Sequence, residues 1–313
     1  MKWYFKISIF VVSIVSVLLF IQIKIESSMK KVTDGNIGKI NAVMKHELDE
    51  DITVWGASTA YVHFDAPMIS DSLNLSTFNM GIDGTNIDQY YGLLKEYLNY
   101  TKNSRYIVIA LDVHGAFMKR DALYDIHNWT HHFSNKNIDS CFSEIDADLM
   151  WKSKYIPFYK LTVYNKHNFR YVRQNLFSDQ KSYQFAKKGY QPKSTFLKDV
   201  NRVDQKSQKV DINKRVFKKL KQACLLAQSK SIQPIVVITP CYEKGFNLLE
   251  NADEVVAKIK SLSNYGVEVF DYSQSKLSNN PSLFCDFTHL NTQGATEFSK
   301  LFLSGFKSQF LEN

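Results

Sequence analysis

Cysteine is scarce in this chain of 313 residues: Cys141, Cys224, Cys241 and Cys285 stand far apart, and no Cys-x-x-Cys pair occurs. That spacing excludes a disulfide framework and a cysteine-built zinc site. Cys241 and Cys285, beside the ends of expected strands, read most simply as small buried residues. Internal repeats and low-complexity tracts are also missing, which sets aside repeat architectures. Acidic residues run short in one region. Between Trp151 and Lys221 there are 19 Lys or Arg against four acids (Asp179, Asp199, Asp204, Asp211), while the rest of the chain carries 20 basic and 27 acidic residues. The formal net charge of +8 therefore arises entirely from that stretch. A solvated basic face accounts for it, and so does an anionic partner such as lipid head groups or an acidic polysaccharide.

Polar residues are nearly absent from Ile7 to Ile23, where only Ser13, Ser16 and Gln22 interrupt the apolar run, and Lys2 and Lys6 precede it. Such a run, helical, rises about 26 Å, the lower limit for crossing a bilayer. No Ala-x-Ala-like cleavage site follows, and Lys24 closes the run. A retained single-pass anchor over residues 1–25 is therefore expected, in preference to a cleaved signal peptide or a buried core helix. The basic amino end places that end in the cytoplasm and everything beyond the anchor on the extracytoplasmic side of the cytoplasmic membrane. That topology sets nucleic acid aside as a partner. Residues 26–50, polar and charged with Gly35 and Gly38, read as a stalk or a first amphipathic helix.

From Asp51 onward the pattern is one α/β domain, 51–313, long enough for a sizeable core. Strands are expected at 52–56, 75–80, 106–112, 234–239 and 267–271, and helices at 86–100, 211–230, 247–263 and 292–310. The apolar runs at 107–111 and 235–238 are continuous rather than alternating, as strands covered on both faces are. In the last helix Phe298, Leu301, Phe302 and Phe306 form a core-facing stripe. Strand alternating with helix implies a doubly wound fold, a flavodoxin-like three-layer α/β/α parallel sheet. A long, largely helical insertion at about 113–210, rich in Tyr, Phe, His and Asn, breaks its rhythm.

Two short stretches carry chemistry. Val54-Trp55-Gly56-Ala57-Ser58 ends a buried strand in Gly-x-Ser, which lifts a hydroxyl nucleophile to the carboxyl edge of the sheet, where open α/β sheets bind ligands. Asp286-Phe287-Thr288-His289 precedes the last helix. At that spacing the carboxylate of Asp286 can hold the imidazole of His289 while the other ring nitrogen reaches a serine from another loop. A further cluster, Asp125-x-His127-x-x-x-His131-His132, has metal-like spacing if helical, but with no third ligand placed it reads as a polar aromatic loop. Trp129 beside it would suit sugar stacking. No cofactor or metal is expected.

Gly56-Ala57-Ser58 and Asp286-Phe287-Thr288-His289 together resemble the blocks of the SGNH/GDSL hydrolase family, and Asn79-Met80-Gly81-Ile82-Asp83-Gly84 is similar to its Asn-x-Gly-Ile-x-Gly turn. The resemblance covers residues 51–112 and 211–310. It implies a Ser58–His289–Asp286 triad, with the backbone N–H groups of Ser58 and Gly84 as oxyanion donors. Two departures stand out: Ala57 replaces the usual aspartate, and Asp112-Val113-His114 replaces Gly-x-Asn, so that His114 becomes the candidate for the missing donor. Asn79, Asp112 and Trp129 are then expected to meet substrate. Anchored relatives of this kind include alginate acetyltransferases and the D-alanyl-transfer protein of teichoic acids. The resemblance thus implies an esterase or O-acyltransferase working on acyl groups of envelope or exported polysaccharide, with a partner acyl-transfer membrane protein if it transfers. The rival expectation is a catalytically idle glycan-binding or scaffold protein.

Overall fold

A computed structural model describes residues 2–179, 185–197 and 207–312; Lys181, Lys198, Arg202 and Lys206 of the basic surplus lie outside them. The described strands are β1 (Ile52–Gly56), β2 (Thr77–Asn79), β3 (Tyr106–Leu111), β4 (Gln233–Ile238) and β5 (Glu268–Asp271). They form one parallel sheet in the order β2-β1-β3-β4-β5. The helices in chain order are α1 (Lys2–Met29), α2 (Gly35–Met44), α3 (Ser58–His63), α4 (Ala66–Leu73), α5 (Ile87–Tyr100), α6 (Lys136–Ser143), α7 (Ala147–Tyr155), α8 (Tyr159–Val163), α9 (Lys166–Asn175), α10 (Lys214–Ser229), α11 (Glu243–Asn247), α12 (Ala252–Lys260) and α13 (Thr292–Phe310).

Side chains alternate across the sheet and so divide the core in two. Ile52, Val54, Val108, Ala110, Ile235 and Val237 pack against α3, α4 and α13. Ile107, Ile109, Leu111, Val236 and Ile238 pack against α2, α5, α10 and α12. The expected three-layer, doubly wound α/β fold is present, and all five expected strands are found. Local chemistry sets the helix ends. Asp65 caps α4 by accepting from Met68 N at 3.2 Å, and Asn291 caps α13 by accepting from Gly294 N at 3.0 Å. Along α13, Phe298, Phe302 and Phe306 are fully buried, but Leu301 is 36% exposed. It sits about 100° from the centre of that stripe, since each residue turns the helix by about 100°.

The amino-terminal helix is longer than the apolar run: α1 has 28 residues, and its apolar side chains from Trp3 to Ile23 are largely exposed. It is long and apolar enough to cross a membrane. Its last turn is docked, with Ile25 and Met29 packed among Val32, Ile37 and Tyr164, and Lys160 Nζ 3.4 Å from Glu26 Oε1. Segment 26–50 consequently does not stand off as a stalk. Ile40, Val43 and Leu48 are buried in the core shared with α5, and Met29, Val32 and Ile37 are buried in the cluster around Tyr164.

The insertion carries α6 to α9, and its buried pair His131 and His132 is structural. Asn41 Nδ2 donates to Met29 O at 2.8 Å and Val32 O at 2.9 Å, which fixes the orientation of the amide. Its Oδ1 then faces His131 Nε2 at 2.9 Å and His132 Nε2 at 2.7 Å, so both rings donate there as neutral tautomers. The metal-like spacing in this cluster is thus used to tie the insertion to α1 and α2. Trp129 is also not a sugar platform: it is 1% exposed and packs edge-on against Phe142 at 5.3 Å.

Burial, then the neighbouring His132, Lys30 and Lys160, pushes His131 well below its usual range, and burial with Lys30 and Lys45 brings His132 down to about 3. In the unfolded chain these rings take a proton near pH 6.5. Between that value and their folded values the unfolded state binds more protons, so stability rises with pH. The expected slope is up to about 1.4 kcal/mol per pH unit for each ring. Chemical unfolding in detergent should therefore show stability falling from pH 7 to pH 5. A flat profile over that range would contradict the buried neutral pair.

Candidate active site

The site begins with a glycine that the sheet requires. Gly56 pairs with Ala110 at the carboxyl ends of β1 and β3, and a Cβ there would lie 2.6 Å from Ala110 O and 2.7 Å from Ala60 Cβ. No larger residue fits, so β1 ends in close contact with its neighbour. The chain then turns directly into α3, with Ser58 as its first residue. This point, between β1 and β3, is where the strand order reverses, the usual ligand crevice of such sheets.

The loop before α13 brings the second half. His289 Nε2 lies 2.7 Å from Ser58 Oγ, across 231 residues of sequence. Its Nδ1 lies 2.9 Å from both Asp286 Oδ1 and Oδ2. Asp286 Oδ1 also accepts from Thr288 N at 2.9 Å and from His289 N at 2.9 Å, which folds the loop into a tight turn around the carboxylate. Burial disfavours the ionised form of Asp286, but the His289 hydrogen bond and charge, with those two N–H groups, outweigh it and hold the carboxyl well below its ordinary range. Cys285 N donates to His289 O at 2.7 Å. From α3, His63 accepts Leu290 N–H on Nε2 at 3.0 Å, pinning the loop one residue beyond His289. His63 is fully buried, and burial followed by the nearby His289 keeps it neutral and able to accept. Sequence reading passed over His63, since nothing in its spacing distinguishes it from a core residue.

Segment 79–84 forms the facing wall. Asn79 is fully buried and clamps rather than meets substrate: Nδ2 donates to Ala60 O at 2.7 Å and Phe64 O at 3.0 Å, and Oδ1 accepts Gly81 N–H at 2.9 Å. Lys39 of α2, 1% exposed, donates from Nζ to Gly81 O at 2.7 Å and lies over the Tyr61 ring at 4.3 Å. Burial pushes its ammonium well below the usual lysine range. Gly84 adopts φ +74° and lines the same cavity as Ser58 and His289. No acceptor among the described residues takes its N–H. Asp112 and His114 border that cavity, which holds about 200 Å³. Asp112 Oδ1 accepts from His114 N at 3.0 Å and Gly115 N at 2.6 Å. His114 Nε2 is 3.6 Å from Cys241 Sγ, so that nitrogen is turned to the thiol, and the backbone N–H groups of Ser58 and Gly84 remain as the oxyanion candidates.

No family model and no curated protein matches the sequence. Among solved structures, the chain is similar to a "putative acylhydrolase" from Bacteroides fragilis, at 13% identity over 82% of this chain and 86% of that one, with a TM-score of 0.40. It is also similar to a "putative platelet activating factor" from Streptococcus pneumonia, at 12% identity over 96% of this chain and 98% of that one, with a TM-score of 0.44. Likeness at this level says nothing of activity.

Gly84 gives a direct test of the wall. A Cβ there would fall 1.9 Å from Tyr124 Cε1, and the positive φ is one that L side chains resist. Gly84→Ala should slow labelling of Ser58 by a fluorophosphonate about ten-fold or more, with the protein still folded. Unchanged labelling would remove Gly84 from the site.

Proposed function

We propose that the protein is a membrane-anchored serine esterase or O-acyltransferase of SGNH type, acting on acyl groups of cell-envelope or exported polysaccharide. One observation carries this reading: a single imidazole lies within hydrogen-bond reach of a hydroxyl on one side and a carboxylate on the other, at the crevice of a parallel sheet. The Ser58 Oγ–H proton passes to His289 Nε2 as Oγ bonds to the acyl carbon. Asp286 keeps the ring in the tautomer that can accept it and stabilises the imidazolium that forms. The N–H groups of Ser58 and Gly84 receive the oxyanion, a contribution of about 3 kcal/mol for one such donor. As the intermediate collapses, His289 gives its proton to the departing alkoxide and the acyl group stays on Ser58. Water or a sugar hydroxyl, deprotonated by the same ring, then releases it as acid or as a new ester. The cavity of about 200 Å³ is smaller than the roughly 300–1,000 Å³ that houses drug-sized ligands, which favours a short acyl group.

The absence of a Gly-x-Asn block and the engagement of His114 with Cys241 favour a second reading, an idle scaffold of envelope polysaccharide assembly. Fluorophosphonate labelling separates the two. Labelling should occur on Ser58 and vanish in Ser58→Ala. On an acetylated sugar or a p-nitrophenyl ester, Ser58→Ala and His289→Ala should each remove about 10⁴-fold or more of the activity, with the double variant little worse, because residues that act as a unit are not additive. Asp286→Ala should hurt less. A Ser58→Ala protein that turns over ester at the wild-type rate would exclude the mechanism.

For the anchor, the basic residues before the α1 apolar run support an inside amino end and an extracytoplasmic domain. Protease added to spheroplasts should digest the chain beyond residue 30. Complete protection there would place the domain in the cytoplasm and remove envelope polysaccharide as substrate.

A further inference from the structure

The cavity beside Ser58 contains a cation that forms no ion pair among the described residues. Arg120 lines it, and among the described residues its guanidinium makes no hydrogen bond or ion pair; its Nε is buried without a partner. Asp88, whose charge acts on Arg120, is already occupied. Asp88 is paired with Arg215, and with Lys219 Nζ at 2.9 Å, which also reaches Glu144 at 3.1 Å. Asp112 borders the cavity too, but its Oδ1 is spent on the turn at His114 and Gly115, and it forms no ion pair with Arg120.

Arg120 is also held rather than free. Its guanidinium stacks over Tyr124 at 5.6 Å, and the Tyr124 ring fills the space beside Gly84. Tyr124 in turn is clamped by Gln89, with Nε2 donating to Tyr124 O at 2.8 Å and Oε1 accepting Tyr124 N–H at 2.9 Å. Asn86 Nδ2 ties the same loop through Met118 O at 2.6 Å. Two almost fully buried hydroxyls that line the cavity, Thr59 Oγ1 and Tyr90 Oη, have no partner among the described residues either. A preset guanidinium with unmet hydrogen-bonding capacity around it is suited to a planar or tetrahedral oxyanion, which it can grip through two parallel N–H groups.

We propose that Arg120 is the anion-recognition residue of this cavity, so that the ester handled at Ser58 carries a carboxylate or phosphate group close to its acyl-bearing carbon. This rests on the serine-ester reading above. Because the cavity is small, the anion belongs to the same sugar or polyol unit as the ester, or to its immediate neighbour.

The test uses full-length protein in detergent and two matched pairs of substrates: O-acetyl methyl glucuronoside against O-acetyl methyl glucoside, and acetylglycerol 3-phosphate against acetylglycerol. The wild type should prefer the charged member of at least one pair, and Arg120→Ala should reduce that preference in kcat/KM about 10- to 100-fold, the range expected for a charge-assisted hydrogen bond. Arg120→Lys should keep part of it, and Arg120→Gln, which preserves packing on Tyr124, should behave like alanine. The pair that responds tells carboxylate from phosphate. Equal losses on charged and neutral members, or a wild-type preference for the neutral ones, would overturn the assignment while leaving Ser58 chemistry standing. If Ser58→Ala keeps turnover, the serine reading fails separately. Calorimetric binding of methyl glucuronoside and of inorganic phosphate then decides the anion site without catalysis: at least ten-fold weaker binding of one of them in Arg120→Ala supports it, and unchanged binding of both refutes it.

Discussion

The position of the whole site depends on how closely β1 approaches β3. Their register sets Gly56 against Ala110, and the 2.6 Å that would separate a Cβ from Ala110 O leaves space for hydrogen alone. Because the strand ends there without a side chain, α3 can start two residues later, and Ser58 lines the crevice beside His289. A larger residue would push α3 away from the sheet, separating Ser58 from His289 and His63 from Leu290 together. One steric limit in the backbone thus governs contacts that span more than 200 residues of sequence.

The remaining geometry is held by buried polar groups that each satisfy several partners. Asn79 uses both ends of its amide to join α3 to the 79–84 turn. Lys39 closes the same turn from the other side through Gly81 O, and α2, which carries Lys39, also carries Asn41, the residue that binds the end of α1 and the two insertion histidines. Leaving any of these groups unpaired in the interior would cost about 1–3 kcal/mol each, so the turn is fixed more firmly than its glycines alone would allow. The segment that looks like a spacer in sequence is in this way part of the wall that faces Ser58.

Much of the scaffold was legible in the sequence because continuous apolar runs report burial on both faces directly. Runs 107–111 and 235–238 lie within β3 and β4, and Ser58, Asp286 and His289 were marked by strand-end and loop-turn spacing. What was not legible is where polar or aromatic side chains point once distant segments meet. Trp129 has the chemistry of a sugar platform, yet it is buried edge-on against Phe142. Asn79 sits in a motif beside the crevice, yet its amide is consumed by backbone groups. Segment 26–50 has a polar average, but the few apolar residues that matter recur on one face of α2, and only the presence of α5 reveals that face.

Histidine shows why this limit is physical. The chain has eight, identical as letters. His131 and His132 share one amide oxygen in the interior and are kept neutral by burial. His63 is neutral for the same reason, but the lone pair left on its Nε2 receives the N–H of the residue after His289. His289 itself is only partly buried, with a carboxylate at 2.9 Å on one nitrogen and a hydroxyl at 2.7 Å on the other. Burial without a counter-charge makes an imidazole a fixed structural donor or acceptor. A paired carboxylate with access to a cavity makes it a group that can gain and lose a proton. Sequence spacing singled out His289 only because its carboxylate lies three residues away; the other histidines take their character from residues that spacing cannot place beside them.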